Sequence, residues 1–433
     1  MTSRFSPLHL HLASFFFAIC AAGAKPPLPL SDQKNEGKWK LLESVSDEFD
    51  GPALDLKKWL NLGFDDDYHG EWKGRAPSQY NPANVSVADG HLTITSRWQP
   101  DFKFSDTTLK GVPYGKPAPV TTAALVSKAK FKHGYLEMRC RAAAGPVSSA
   151  FWTTGKGGEI DVFEHFGHNP TRPNSAYRYH TSFHDWRKGS ATFSERIWEN
   201  NHRLAFKVAD DFHTYGLEWT NYDLRIYVDG RLINFATRKE LGDRWIANNE
   251  QKIWIDSELF PWEVPSEKLT ASDFKDSKFV VDYCRVWQRT VPLTNSQPVP
   301  NLFGNSGFEE GLKYWIGAGE ITTDSHTEKS AATLTGAGKI QQTVNVEPNT
   351  TYILSAWAKL PKTNMKDAWT DAYLNVAAYG GPRLTLKYFK PTFTHQSLEF
   401  TTGPEAKTAT IFFTNQPKSH PAVVDDFRLM KSE

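Results

Sequence analysis

Cysteine is scarce in this 433-residue chain: there are three, Cys20, Cys140 and Cys284. A framework of several disulfides is therefore excluded. Charge of one sign is lacking too. Fifty Lys and Arg stand against 49 Asp and Glu, so no bulk field favours nucleic acid or an anionic membrane, and neither is expected as a partner. After the N-terminus no stretch approaches the roughly 20 apolar residues a spanning helix needs. Sharp helical periodicity is also scarce, and no repeat links the two halves and no low-complexity tract is present, which turns attention to strands.

Aromatic residues are abundant, at 13% with 15 Trp, as suits a large core or a surface that stacks on flat apolar faces such as those of sugar rings. The N-terminus has the order of a secretory signal. Arg4 precedes the apolar run LHLASFFFAICAAGA, and Ala22-Gly23-Ala24 forms a small-residue cleavage site. We expect residues 1–24 to be removed and the mature protein to be secreted as a monomer. Cys140 and Cys284 then remain, and sequence leaves open whether they form a disulfide or stay as buried thiols.

Short alternating runs recur throughout, among them VSVADGHLTITSRW, FHTYGLEWTNYDLRIYVDGRLI and SKFVVDYCRVWQ. Asp89-Gly90 and Asp229-Gly230 fall between such runs, a hairpin signal because both central positions favour positive φ. The fold class is all-β, a β-sandwich. In RTVPLTNSQPVPN, three prolines in an aperiodic polar stretch mark residues 290–300 as a linker. It separates a domain of residues 25–289 from a smaller β-sandwich of residues 301–433.

GGEIDVFEHFG, residues 157–167, places Glu159, Asp161 and Glu164 within six positions. In a regular strand Glu159, Asp161 and Phe163 share one face and Glu164 points the other way. A β-bulge, one inserted residue, returns Glu164 to the face of the other two acids. The glutamates are then about four strand residues apart, roughly 13 Å along the backbone at about 3.3 Å per residue. A concave sheet that leans the side chains together moves them toward the roughly 5–5.5 Å expected of a retaining glycosidase. Neighbouring Lys156, His165 and His168 show no regular metal-ligand spacing. Three close carboxylates cannot all ionise cheaply, so at least one is held protonated and the group titrates as a unit. We assign Glu164 as acid/base, Glu159 as nucleophile and Asp161 as the residue that orients Glu159, although charge alone lets the two glutamates exchange roles.

Glu159-Ile160-Asp161-Val162-Phe163-Glu164 resembles the bulged E-x-D-x-x-E signature of glycoside hydrolase family 16. SDEFDG (46–51), ALVSKAKFKHGYLEMRCRA, SSAFWT (148–153), FHTYGLEWT (212–220), IYVDGRLI and FVVDYCRVWQ resemble the family's ordered landmarks from about residue 40 to 289. The resemblance implies a concave β-jelly-roll sandwich and retaining hydrolysis of β-linked polysaccharides, with the first Glu as nucleophile, the Asp as its helper and the last Glu as acid/base. No cofactor is required for catalysis. Asp282 resembles an aspartate that helps bind a structural calcium in some relatives, and this makes it a candidate metal ligand.

WKGRAPSQYNPANV (72–85) and IWIDSELFPW (253–262) resemble the branch of β-agarases and β-porphyranases more than the laminarinases. The implied partner is an agarose- or porphyran-type red-algal galactan. The alternatives are a carrageenan, furcellaran or β-1,3-glucan hydrolase of the same family, or a lectin-like protein that binds without cleaving. Candidate substrate-binding residues each have a plainer reading. Trp72 stacks on a sugar or packs a loop, and Arg75 binds hydroxyls or sulfate or pairs with an acid. Trp152 floors a subsite or fills the core, and Glu258 binds hydroxyls or caps a loop. His180 and His184 line the cleft or serve as hydrogen-bonded structural groups. The second domain, with NLFGNSGFEEGLKYW and VVDDFRLM, resembles carbohydrate-binding modules of the family 4, 9 and 22 type, which implies a tether to polymer. Its stacking candidates are Trp357, Trp369 and Tyr379, each of which also suits a core.

Overall fold

The computed structural model describes residues 27–63, 73–105, 118–169, 172–190, 195–264, 268–362 and 370–432. The signal segment, Trp72 and Trp369 lie outside these residues. No described helix is long and apolar enough to cross a membrane.

Alternation of apolar and polar residues builds the first domain as two facing sheets. In His91–Thr95, Leu92 and Ile94 turn inward while their neighbours stay accessible. The outer sheet runs, in spatial order, Arg231–Thr237, Asp223–Val228, His213–Trp219, Gly134–Arg141, Lys278–Arg289, His91–Thr95 and Val85–Ala88. The inner sheet includes Glu195–Arg203, Arg178–Asp185, Gly158–Phe166, Ser148–Gly155, Lys252–Ser257, Val120–Ser127 and Trp59–Asn61, again in spatial order. Between them lies one apolar core, with Leu136, Phe151, Ile160, Val162, Phe163, Leu217 and Val281 fully buried.

Both expected hairpins form. Ala88 pairs with His91 and Val228 with Arg231, and the intervening Asp89-Gly90 and Asp229-Gly230 all have positive φ. Cys140 and Cys284 sit in the core on adjacent strands as buried free thiols. Burial pushes both thiols up, away from the reactive thiolate.

The second domain is a smaller sandwich. One sheet carries Ile316–Gly317, Lys339–Asn345, Thr408–Asn415, Ala372–Ala377 and Leu384–Tyr388. It packs through Phe308, Trp315, Leu354, Phe413 and Phe427. Its other sheet does not end at the domain boundary. Thr394–Thr401 pairs in parallel with Glu195–Arg203, so a single 14-stranded sheet runs through both domains.

The linker is likewise held. The Ser296 hydroxyl donates to Asp223 at 2.7 Å, the Arg225 guanidinium donates to the Gln297 carbonyl, and Val299 packs on the larger core. The proline-rich composition marked a linker, and Ser296 and Gln297 within it find partners on the first domain.

Candidate active site

The strand Gly158–Phe166 carries the bulge. Against Arg178–Asp185, Glu159 faces His184, Asp161 faces Ser182 and Glu164 faces His180, with a register shift between Asp161 and Glu164. On the other side Glu159 faces Thr154 and Glu164 faces Ala150. On both neighbours the partners of the two glutamates are four positions apart, an even number. On the bulged strand they are five apart. The extra residue is absorbed by Val162 and Phe163, which are both fully buried, so Phe163 joins the core and not the acid face. Two successive apolar side chains, each worth about 2 kcal/mol when buried, hold the slip in place.

Because the inner sheet is paired strand by strand, the acid face can be read as rows. One row runs Asp256, Ala150, Glu164, His180, Asn201 and, in the second domain, Gln396. The next holds Asp161, Ser182 and Glu199, and the one after that Glu159, His184 and Arg196. The three acids line a cleft with two connected lobes of about 540 and about 640 Å³.

Electrostatics separate the acids. Burial, then the Asp161 and Glu164 charges, push the Glu159 carboxyl well up, while the Trp186 indole N–H and Arg75 oppose the rise. Burial, then Asp161 and Asp256, do the same for Glu164, with Arg196 and Arg75 opposing. Glu159 thus accepts a hydrogen bond that favours its ionised form, and Glu164 faces an additional acid. This asymmetry favours Glu164 over Glu159 as the carrier of a shared proton. Asp161 accepts from the Ser182 hydroxyl and lies 3.2 Å from His184 Nε2, which is also 2.8 Å from Ser182 Oγ and 4.0 Å from Glu159. Nε2 as the protonated nitrogen satisfies this chain. Glu159, Asp161 and His184 bring ligand-type atoms within 4.8 Å of one another, a grouping already explained by these hydrogen bonds.

The remaining expected residues fall into place unevenly. Trp152 stacks on buried Trp254 at 4.6 Å, lines one lobe and donates to Asp256 at 2.6 Å. Glu258 is a loop holder. It accepts from the Arg75 backbone N–H at 3.1 Å, Arg75 Nε at 3.0 Å and the Tyr80 hydroxyl at 3.1 Å. Arg75 is accordingly paired with an acid, yet it still faces both lobes and lies over the rings of Phe260 and Trp262. His180 binds Asn201 at 3.2 Å, and burial lowers its pKa to about 4, so it is neutral in the cleft. Asp282, the expected metal ligand, stands on the outer sheet and is bound by Arg139 at 2.6 Å. Trp357 stacks on His326, and Tyr379 is buried with its hydroxyl on Pro382, so neither presents a free platform.

Sequence reading missed Ser182, Trp186, Asp256 and the Arg196–Glu199 pair. Period 2 was the available signal for Ser182 and Asp256, which stand on the face opposite the core. Arg196 and Glu199, three apart, share that face only through a second register shift beside buried Ile197 and Trp198, and Trp186 lies just past the end of its strand.

Residues 39–289 match the family described as β-porphyranase A–D, GH16 domain, and residues 300–420 match a carbohydrate binding domain. β-Porphyranase D of Zobellia galactanivorans is 31% identical over 212 residues, 45% of this chain and 46% of that protein, so the chain spans about half the length of this relative. A β-glucanase of Acetivibrio thermocellus is 28% identical over 295 residues, 66% of this chain and 73% of that protein. The crystal structure of BuGH16Bwt shares the fold, with a TM-score of 0.50 at 24% identity over 60% of this chain and 96% of that one.

Proposed function

The chain belongs to glycoside hydrolase family 16, and on that premise we propose that it is an exported, retaining endo-hydrolase of a red-algal galactan, with a porphyran-type sulfated polymer as its first substrate. The observation that carries the reading is the bulge that puts Glu164 on the face of Glu159 and Asp161, with proton affinities raised by burial and mutual repulsion. Ionised Glu159 attacks the anomeric carbon while Glu164 gives its proton to the leaving glycosidic oxygen. Glu164 then takes a proton from water as that water releases the sugar from Glu159. Asp161, tied to Ser182 and His184, keeps the nucleophile oriented.

Two features support a sulfated galactan. The matched family is described by β-porphyranases. In the cleft Arg178 keeps solvent access although the cleft walls partly desolvate it; it makes no ion pair with a carboxylate among the described residues, and this desolvation, then cationic Arg203 and Arg172, push its pKa down. Such a cation favours a sulfate ester. The β-glucanase relative supports a second reading, hydrolysis of a β-glucan.

Reducing-end release from porphyran, agarose, carrageenans and laminarin tests the proposal. Cleavage of porphyran or agarose is expected. Activity on laminarin alone removes the galactan assignment, and binding with no cleavage of any polymer favours a lectin. Glu159→Gln is expected to abolish turnover without loss of fold, and wild-type turnover in that variant removes Glu159 from its role.

A further inference from the structure

The second domain was expected to act as a tether, holding polymer near an independent catalytic unit. A tether raises local concentration and adds nothing to the cleft itself. The parallel pairing of Thr394–Thr401 with Glu195–Arg203 places this domain differently. The polar row through Glu164, His180 and Asn201 continues without a break to Gln396, three strand spacings away, or about 14 Å at roughly 4.8 Å per strand. Phe389, Lys390, Thr394 and Gln396 line the same cleft lobe as Glu159 and Glu164.

The junction is fixed by buried polar contacts. Ser397, Asn200 and His202 are fully buried; Asn200 donates to Ser397 Oγ at 3.0 Å and His202 Nδ1 bonds the same hydroxyl. Arg231–Glu399 at 3.0 Å and Arg428–Glu240 at 2.6 Å close the flanks. Within the cleft, Lys390 reaches Glu199 at 2.9 Å, and Arg196 meets the same carboxylate at 3.0 Å. Two cations around one carboxylate leave that end of the cleft net positive. Beside them the Phe389 ring is 54% exposed on the cleft wall. An apolar ring next to a polar, positively charged floor is what a sugar chain bearing anionic substituents would meet.

We propose that the C-terminal domain is one end of the substrate cleft, where Phe389 stacks on a sugar distal to the cleaved bond and Lys390 helps bind that part of the chain. This rests on the reading of the cleft as a polysaccharide site. It makes the domain a determinant of chain-length preference.

The test is Phe389→Ala in the full chain, compared on polymer and on the shortest oligosaccharide the wild type cleaves. Covering a half-exposed ring contributes roughly half of what full burial of a phenylalanine does, so KM for polymer should rise roughly four- to tenfold with kcat little changed. The shortest oligosaccharide should show no comparable rise. Tyr314→Ala, which removes a 59% exposed ring of the second domain outside the cleft, should alter neither. An unchanged KM for polymer, or an equal rise on both substrates, overturns the proposal. Polymer affinity measured with and without Phe389→Ala in the Glu159→Gln background reads the subsite independently of turnover. A wild type that cleaves no polymer therefore sinks the functional reading without deciding the subsite, and equal affinities sink the subsite alone.

Discussion

Replacing Arg75 by methionine removes the cation that closes the loop over the cleft and leaves the Glu258 carboxylate buried without its partner. Glu258 is 5% exposed and accepts three hydrogen bonds, two of them from Arg75. Breaking a fully buried pair costs about 3–5 kcal/mol, but the Arg75 side chain is 44% exposed, so solvent screens part of that cost and about 2 kcal/mol is expected at pH 7. For a cooperative unit of roughly 250–400 residues, at about 2.1 cal/mol/K per residue, that corresponds to a fall in Tm of roughly 2–4 °C. Methionine retains apolar contact with Phe260 and Trp262, which isolates the charge effect. Arg75→Met/Glu258→Gln should recover most of the loss, because a neutral amide oxygen still accepts from the backbone N–H of position 75 and from the Tyr80 hydroxyl. Urea unfolding of the single and double variants measures both numbers. Arg75 also opposes the upward push that burial and Asp161 exert on Glu159 and Glu164, so in the single variant both limbs of the kcat/KM profile should move to higher pH. An Arg75→Met protein as stable as wild type, or a double variant no better than the single, refutes the reasoning.

Two further outcomes can be stated from the same electrostatics. After burial and Asp161, the Asp256 charge raises Glu164, with only Ala150 between their strands, so Asp256→Asn should lower the Glu164 pKa and shift the alkaline limb of kcat/KM to lower pH; an unmoved limb in a pH–rate series contradicts this. At the domain junction, burial and then Arg231 lower His202 to about 3, and burial likewise holds His395 well below the usual histidine range. Both are neutral when folded and titrate near 6.5 when unfolded, so their contribution is complete above about pH 6.5 and is lost as pH falls toward 3, by about 1.4 kcal/mol per unit for each. His202→Gln should therefore lose less stability than wild type between pH 7 and pH 5 in denaturant titrations, and parallel losses would contradict the assignment.

Much of the site was legible because it depends on local parity. Glu164 is out of step with Glu159 and Asp161 by one residue, and the adjacent apolar pair Val162-Phe163 shows where a sheet with one buried face must take up the slip. The hairpins at Asp89-Gly90 and Asp229-Gly230 were legible for the same reason: a short-range backbone requirement is met by residue type. What depends on pairing between distant segments was not. Glu258 and Arg75 are 183 residues apart, and either one alone reads equally well as a sugar ligand. The join between Glu195–Arg203 and Thr394–Thr401 leaves no mark in the proline-rich linker, because parallel pairing is specified by edge geometry and by Ser397, His202 and Asn200, ordinary polar residues taken singly. The pairing of Asp282 with Arg139, 143 residues away, was hidden on the same ground.

The central claim is that Glu159 and Glu164 work from one face as nucleophile and acid/base. Proton NMR of the first reducing sugar released from the cleaved β-linked polymer, recorded before mutarotation, tests it most directly. The account predicts that the β-anomer appears first and the α-anomer grows in only by equilibration. Release of the α-anomer first would mean single inversion by water, and would contradict the covalent role of Glu159.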